Sequence, residues 1–485
     1  MQFILYGLHA KPANLQNGFF IKIVSYPLQV NAEFKVYILS FSHYDCNTMV
    51  NHLASNRSKR RMYRLDNAAN LYPAIRNNKR PGVFRLSAEL IEPINPVSLQ
   101  IALDKTIKRF PGFAVKLRSG LFWHYFVHSE EKLLIQKDVV NPCTPMTHTS
   151  TGGFLMRVRY FHNRIAVEFF HAITDGSGAM IFLKTLIAQY LLLAGIEIPS
   201  THGVLKCDEI PPDDETQDVF TQFAGKSPTR KVIQSRAFHV KGTPVDPSVM
   251  KMIIGTIPAP ALKQAAGLHN VTITEYLSAL FLKVLFDHQE EQETILKLPV
   301  KIQVPVNLRN FFPVQTLRNF SAYVIPSIDP AHGAYSFTEI TELVHHFLRY
   351  EATKKHLQSQ VAANIKYASH PLVRILPLGI KKKLILLGYK MMGPSYFTST
   401  LSNLGVITIP EEIERYVRSF GFIIGATPET NISCAVLGYA GTIQVTFSRV
   451  IKETAIERRF FQFLVEQGVP VHIETNQEDE DALLC

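Results

Sequence analysis

The chain has 485 residues, 46% of them apolar and 19% charged, with a formal net charge of +11. That length can bury a large core and suggests two or three domains. No run reaches the roughly 18 uncharged apolar residues of a membrane span, because the nearest, residues 180–198, is interrupted by Lys184, Gln189 and Glu197, and none of the five cysteines forms a CxxC pair of the metal or redox kind.

In chain order, residues 1–58 lack continuity with the rest of the chain and read as a poorly ordered leader or an upstream start, with Met49 or Met62 as alternative starts. The opening Met1–Tyr6 lacks the positive n-region of a secretory signal. Residues 56–61 form a basic linker, for which a targeting or nucleic-acid arm is the functional alternative. Residues 1–61 carry a net +5 and the acidic tail a net −5 over 471–485, so the excess positive charge lies in the middle of the chain. It is dispersed and accompanies no nucleic-acid motif, so nucleic acid is not an expected partner. A solvated basic surface is its commonest cause. Cysteines that are few and odd in number (Cys46, Cys143, Cys207, Cys434, Cys485) suggest reduced thiols in a cytoplasmic setting.

The first half is read as 62–205. The stripe of Leu99, Leu103, Ile107 and Phe110 predicts a helix over 96–110, begun at Asn95 and ended by Pro111-Gly112. Short strands are expected over 114–118, 122–128 and 154–161. Residues 164–170, rich in branched and aromatic side chains, form another, and 177–193 a long helix capped by Thr174 or Asp175. Between these last two stand His171, Asp175 and Gly176 in an HxxxDG pattern. Histidine, with an ordinary pKa of ~6.5, can take a proton near neutral pH. A rigid, partly desolvated strand end is where such a base works. A lone histidine on an apolar strand is more often a satisfied core residue; the full pattern at a strand-to-helix junction favours the base. Gly176 is expected to supply a backbone geometry that a side chain would resist.

Residues 206–245 read as a crossover linker, whose acidic 211–218 stretch is a solvated segment without metal-ligand spacing. The second half is read as 246–476 and the acidic tail as 477–485. Helices are expected over 259–268 and, after the capping box of Thr272 and Glu275, over 276–286. Residues 298–306 alternate like a strand, with two prolines that favour an edge. Strands at 415–424, 433–439, 442–447 and 469–473 and a helix at 455–467 complete a mixed α/β (α+β) pattern. Residues 370–393 surround Lys381-Lys382-Lys383 with apolar side chains, broken by Pro371, Pro377 and Gly379. A tunnel-lining or core helix with solvated lysines is the favoured reading, and peripheral membrane contact stays open as the other.

His171-Ala172-Ile173-Thr174-Asp175-Gly176 resembles the HxxxDG motif of the chloramphenicol-acetyltransferase-like acyltransferase superfamily. The segments 63–73, 304–313 (Val-Pro-Val-Asn-Leu-Arg-Asn-Phe-Phe-Pro) and 400–405 (Thr-Leu-Ser-Asn-Leu-Gly) are similar, in family order, to bacterial alcohol O-acetyltransferase-like proteins. The resemblance implies two halves, each a mixed sheet with helices, that enclose a central tunnel with His171 near its middle. It implies acyl-coenzyme A, in particular acetyl-coenzyme A, as co-substrate with no permanently bound cofactor and no metal, and a small alcohol or amine as acceptor. A phosphate-bearing co-substrate also suits a basic tunnel mouth. His171 would be the general base of a direct transfer, and Asp175 would pair with an arginine, for which Arg64, Arg309 and Arg449 are candidates. Asn307, Ser402 and Asn403 are weak candidates for the oxyanion donor. Two alternatives remain: a condensation-type enzyme using carrier-bound acyl groups, or a non-catalytic binding protein of the same fold. Condensation enzymes usually show a second histidine where this chain has Phe170.

Overall fold

Local signals set the helix starts. In a computed structural model, which describes residues 62–66, 69–223, 235–292, 297–368, 375–392 and 396–476, the Asn95 side chain accepts the backbone N–H groups of Val97 and Ser98 and starts the helix Pro96–Arg109. Thr272 and Glu275 form a reciprocal capping box at the head of Ile273–Glu291. The leader 1–58 and the tail 477–485 lie outside the described residues.

The chain is a mixed α/β fold of two lobes. The N-terminal lobe is built on a five-stranded sheet ordered Val417–Ile424, Val83–Leu90, Arg164–Phe170, Met156–Phe161, Gln136–Lys137. All its pairings are antiparallel except the last. The helices Pro96–Arg109 and Gly176–Leu192 pack on each other beside it. A small antiparallel sheet joins Met62–Arg64, His124–His128 and Val115–Ser119. The C-terminal lobe is an eight-stranded sheet in which Ser399–Val406 runs parallel to both Val300–Asn307 and Ile432–Tyr439. Thr442–Arg449, Lys251–Pro258 and His472–Thr475 extend it antiparallel. Each lobe has its own apolar core, one around Phe110, Phe169 and Phe182, the other around Phe281, Phe447 and Phe460.

The structure departs from the sequence reading at several places. Val417–Ile424 belongs by sequence to the second half but pairs with Val83–Leu90 of the first; its partner is a matter of tertiary register, which no local pattern encodes. Val300–Asn307 is not an edge strand. Pro299 precedes it, and Pro305 lies past Ile302 and Gln303, the residues that pair with Ser399–Val406, so no ladder bond is lost there. The acidic 211–218 stretch is not uniformly solvated: Glu215 is buried and takes two hydrogen bonds from Arg109, at 2.6 and 2.8 Å. Finally, Leu378–Met392 is one continuous helix, begun after Pro377, and its Ile380, Leu384 and Leu387 are exposed rather than packed in a core.

The N-terminal sheet carries a buried charge cluster. Glu168, fully buried, accepts from Arg157 Nε at 2.5 Å, Arg85 Nη1 at 3.2 Å and the Cys143 backbone N–H at 3.2 Å. Arg85 also pairs with Asp138. Glu168→Ala leaves the buried Arg157 guanidinium without its carboxylate and is expected to cost about 3–5 kcal/mol of stability, read as a fall in melting temperature. A change within experimental error would show that water or neighbouring acids reach the cluster.

Candidate active site

The strand Arg164–Phe170 ends in buried Phe169 and Phe170, and the chain then turns. The His171 backbone N–H donates to the Gly82 carbonyl oxygen at 2.8 Å, which fixes the turn to the neighbouring strand. The ring stacks on Tyr72, with centroids 4.8 Å apart and planes 9° from parallel, and Phe84 tilts against it at 5.1 Å. The residue as a whole is half-buried. Burial lowers the imidazole's pKa below its ordinary value, against the raising effects of a backbone hydrogen bond, the Asp175 charge and Asn319.

Nδ1 of His171 lies 3.1 Å from Asn319 Oδ1. The amide of Asn319 is itself oriented, because its Nδ2 donates to Asp66 Oδ2 at 3.4 Å. The Asn319 oxygen therefore faces the histidine and can only accept, which puts the ring proton on Nδ1 and leaves Nε2 with its lone pair free. Asp66 is fully buried and takes the Ala69 N–H at 2.6 Å and Arg318 Nη2 at 3.4 Å. Desolvation pushes its carboxyl up to about 6 even against the Arg318 charge. Arg318 is held in turn by the backbone oxygens of Arg64 and Thr216.

Asp175 caps the helix Gly176–Leu192 through the Gly178 N–H at 3.1 Å. Its other oxygen takes Arg309 Nη1 and the Phe320 N–H, both at 2.8 Å. Of the three arginine candidates the structure brings only Arg309 to Asp175. Arg64 offers its backbone oxygen to Arg318, and Arg449 is buried in the C-terminal lobe against Glu457 at 3.2 Å. Asn307 holds this centre together: its Oδ1 accepts from Arg309 N and Nη1, and its Nδ2 donates to Ser177 Oγ at 3.0 Å. Asn403 is committed to a turn, with Nδ2 on Thr274 Oγ1 at 2.9 Å and Oδ1 on the Gly405 N–H at 2.8 Å. Ser402 is half-buried on the strand Ser399–Val406, opposite Ala435.

Gly176 has no positive φ, so its conformation is open to any residue. What it lacks is room, since an added Cβ would stand 2.6 Å from Leu404 Cδ2. Gly178, which the motif does not contain, is more constrained: a Cβ there would stand 2.3 Å from both the Leu317 carbonyl oxygen and Thr174 Oγ1. Sequence reasoning passed over Gly178, Asn319 and Asp66. The run Gly176-Ser177-Gly178 was a signal for the first; nothing local marks the other two, which reach His171 from 148 residues away and, through Asn319, from the start of the described chain.

Neither a scan of protein-family models nor a search of curated proteins returns a match. Solved structures do match. The first condensation domain of the CDA synthetase aligns with a TM-score of 0.56 at 14% identity, covering 84% of this chain and 96% of that one. TRI3 trichothecene 15-O-acetyltransferase from Fusarium sporotrichioides aligns at 0.57 and 11%, covering 85% and 96%. F. graminearum TRI101, complexed with coenzyme A and T-2 mycotoxin, aligns at 0.58 and 11%, covering 85% and 99%. At such identities the likeness establishes the fold: this chain has the two-lobed architecture that condensation domains and the TRI3 acetyltransferase share.

The two glycines make a paired prediction. Gly178→Ala meets a backbone oxygen and is expected to lower the melting temperature well beyond Gly176→Ala, which meets the movable end of Leu404. Asp175→Asn leaves Arg309 without its counter-ion and removes charged hydrogen bonds of about 1.5–3 kcal/mol each, so it should also melt early. Equal melting temperatures for the three variants and the parent would contradict this account of the turn.

Proposed function

We propose that this chain is an acyltransferase that moves an acyl group, acetyl in the first instance, from acyl-coenzyme A to an alcohol. The observation that supports it most is the state of His171: a half-buried imidazole whose Nδ1 proton is held by Asn319, so that Nε2 is a free base where the lobes meet. Nε2 takes the acceptor hydroxyl proton and the oxygen attacks the thioester carbonyl. The carbon–oxygen bond forms, the carbon–sulfur bond breaks, and the imidazolium returns its proton to the leaving thiolate. No covalent acyl-enzyme is involved.

In this reading Asp175 and Arg309 hold the turn and touch no substrate. Asn307 and Asn403 have engaged their amides elsewhere, which leaves Ser402 as the oxyanion donor among the three. The acyl carrier and the acceptor enter from opposite sides of a channel between the N-terminal half (62–205) and the C-terminal half (246–476), joined by the crossover 206–245. One of the structural relatives is an acetyltransferase by name, and another is held with coenzyme A. The three described cysteines are free thiols, which supports a reducing compartment, the cytoplasm. Phe170, buried where condensation-type enzymes usually have a second histidine, weighs against carrier-bound donors.

Thiol release from acetyl-coenzyme A over a panel of alcohols and amines tests the reading. His171→Ala should lower turnover by about 10²–10⁴-fold while the chain still folds and melts cooperatively. Transfer only from a carrier-bound acyl group would replace this reading with the condensation type, and full activity in the variant would remove the base. The pH profile is a further check. Neutral imidazole is the active form and burial lowers its pKa, so activity should fall on acidification with a midpoint below the free value of ~6.5. Burial raises the Asp66 carboxyl to about 6 as well, so the acid limb should be steeper than one titration, and Asp66→Asn should return it to a single one.

A further inference from the structure

The surface next to the site has a feature that acyl transfer does not require. The tip of the hairpin between Val115–Ser119 and His124–His128 exposes Leu121, Phe122 and Trp123 in sequence, Leu121 to 71%. The helix Leu378–Met392 continues the same surface. Its Leu378 N–H donates to the Leu121 carbonyl oxygen at 2.8 Å. Lys381, itself buried, donates to the Phe122 carbonyl oxygen at 2.9 Å and places its ammonium 3.2 Å from the Trp123 ring centre. Ile380, Leu384 and Leu387 follow at helical spacing on the outward stripe, 48%, 51% and 54% exposed. Tip and helix therefore form one apolar face, unlike the singly scattered apolar side chains of an ordinary monomer surface.

Charge says what covers it. Neither 115–128 nor 375–392 contains an acidic residue, whereas Arg118, Lys382 and Lys383 are exposed. A second copy docked face to face would bring these cations together. An anionic bilayer surface suits both halves of the pattern: apolar side chains enter the acyl boundary, the lysines reach the headgroups, and tryptophan sits at the border between them. Among the described residues no helix is long and apolar enough to cross a membrane, so the helix would lie on it. We propose that this face docks the protein on membranes rich in anionic lipid. The inner side of the same helix packs on Leu71–Ile75, whose Tyr72 stacks on His171, so docking would bring the bilayer to the flank of the site.

Trp123 is the only tryptophan in the chain and reports on the face directly. The full chain is mixed with phosphatidylcholine vesicles with and without phosphatidylserine, and fluorescence and co-sedimentation are followed. The expected result is a blue shift and sedimentation that require phosphatidylserine and weaken with salt. Lys382→Glu with Lys383→Glu should reduce partitioning by at least about tenfold, and Leu384→Ser with Leu387→Ser should do likewise, both without loss of melting temperature. His171→Ala should bind as the parent does, which separates docking from catalysis. Absence of any shift or sedimentation overturns the proposal. So does undiminished binding by both variant pairs, or a lipid-free shift that rises with protein concentration alongside a doubled mass, which would assign the face to a second copy.

Discussion

The carboxylate of Asp175 is the constraint on which the site depends. It closes the first turn of the Gly176–Leu192 helix with one oxygen and binds Arg309 and the Phe320 N–H with the other. Its first contact is local and its others come from the opposite lobe. One side chain thereby ties the strand-to-helix turn to the segment 307–320, and that segment carries Asn319 to His171. Because the pair is largely buried, solvent screens it little, and the geometry is stiffer than a surface ion pair would allow. Thr174 adds a bond of the same kind, from its hydroxyl to the Leu317 carbonyl oxygen at 2.6 Å. The absence of a side chain at Gly178 is what lets Leu317 come this close.

The base and its support are divided between the lobes. Tyr72 and Phe84 hold the ring of His171 from the N-terminal side, and Asn319 decides its tautomer from the C-terminal side. Behind Asn319 stands Asp66, whose buried charge is offset by Arg318. A neutral amide between the carboxylate and the imidazole orients the ring without placing a full negative charge beside it. Burial can then keep the imidazole neutral, whereas a carboxylate in direct contact would favour its charged form.

The helix Leu378–Met392 packs on the segment Leu71–Ile75 that carries Tyr72. It touches the Tyr72 helix on one side and the Leu121–Trp123 tip on the other. Its composition makes sense only when both sides are considered: a buried lysine that fastens the tip, and an exposed apolar stripe, uncovered among the described residues. Helical periodicity alone cannot tell which side of such a segment faces the protein, because apolar residues occur on both.

By itself the sequence determined what depends on neighbours along the chain. The strand before His171, the cap at Asp175, the start at Asn95 and the box of Thr272 and Glu275 are all found where local hydrogen bonding and periodicity put them. The His–Asp spacing was legible because one turn carries both residues. Tertiary structure alone decided which arginine meets Asp175, that Val417–Ile424 joins the first sheet, that Glu215 turns inward to Arg109, and that Asp66 and Asn319 stand behind the base. Each of those contacts spans more than a hundred residues, and a sequence window holds no information about which distant partner completes a buried polar group. Burial supplies that choice, since a charged or hydrogen-bonding atom removed from water must be satisfied by whatever the fold brings to it.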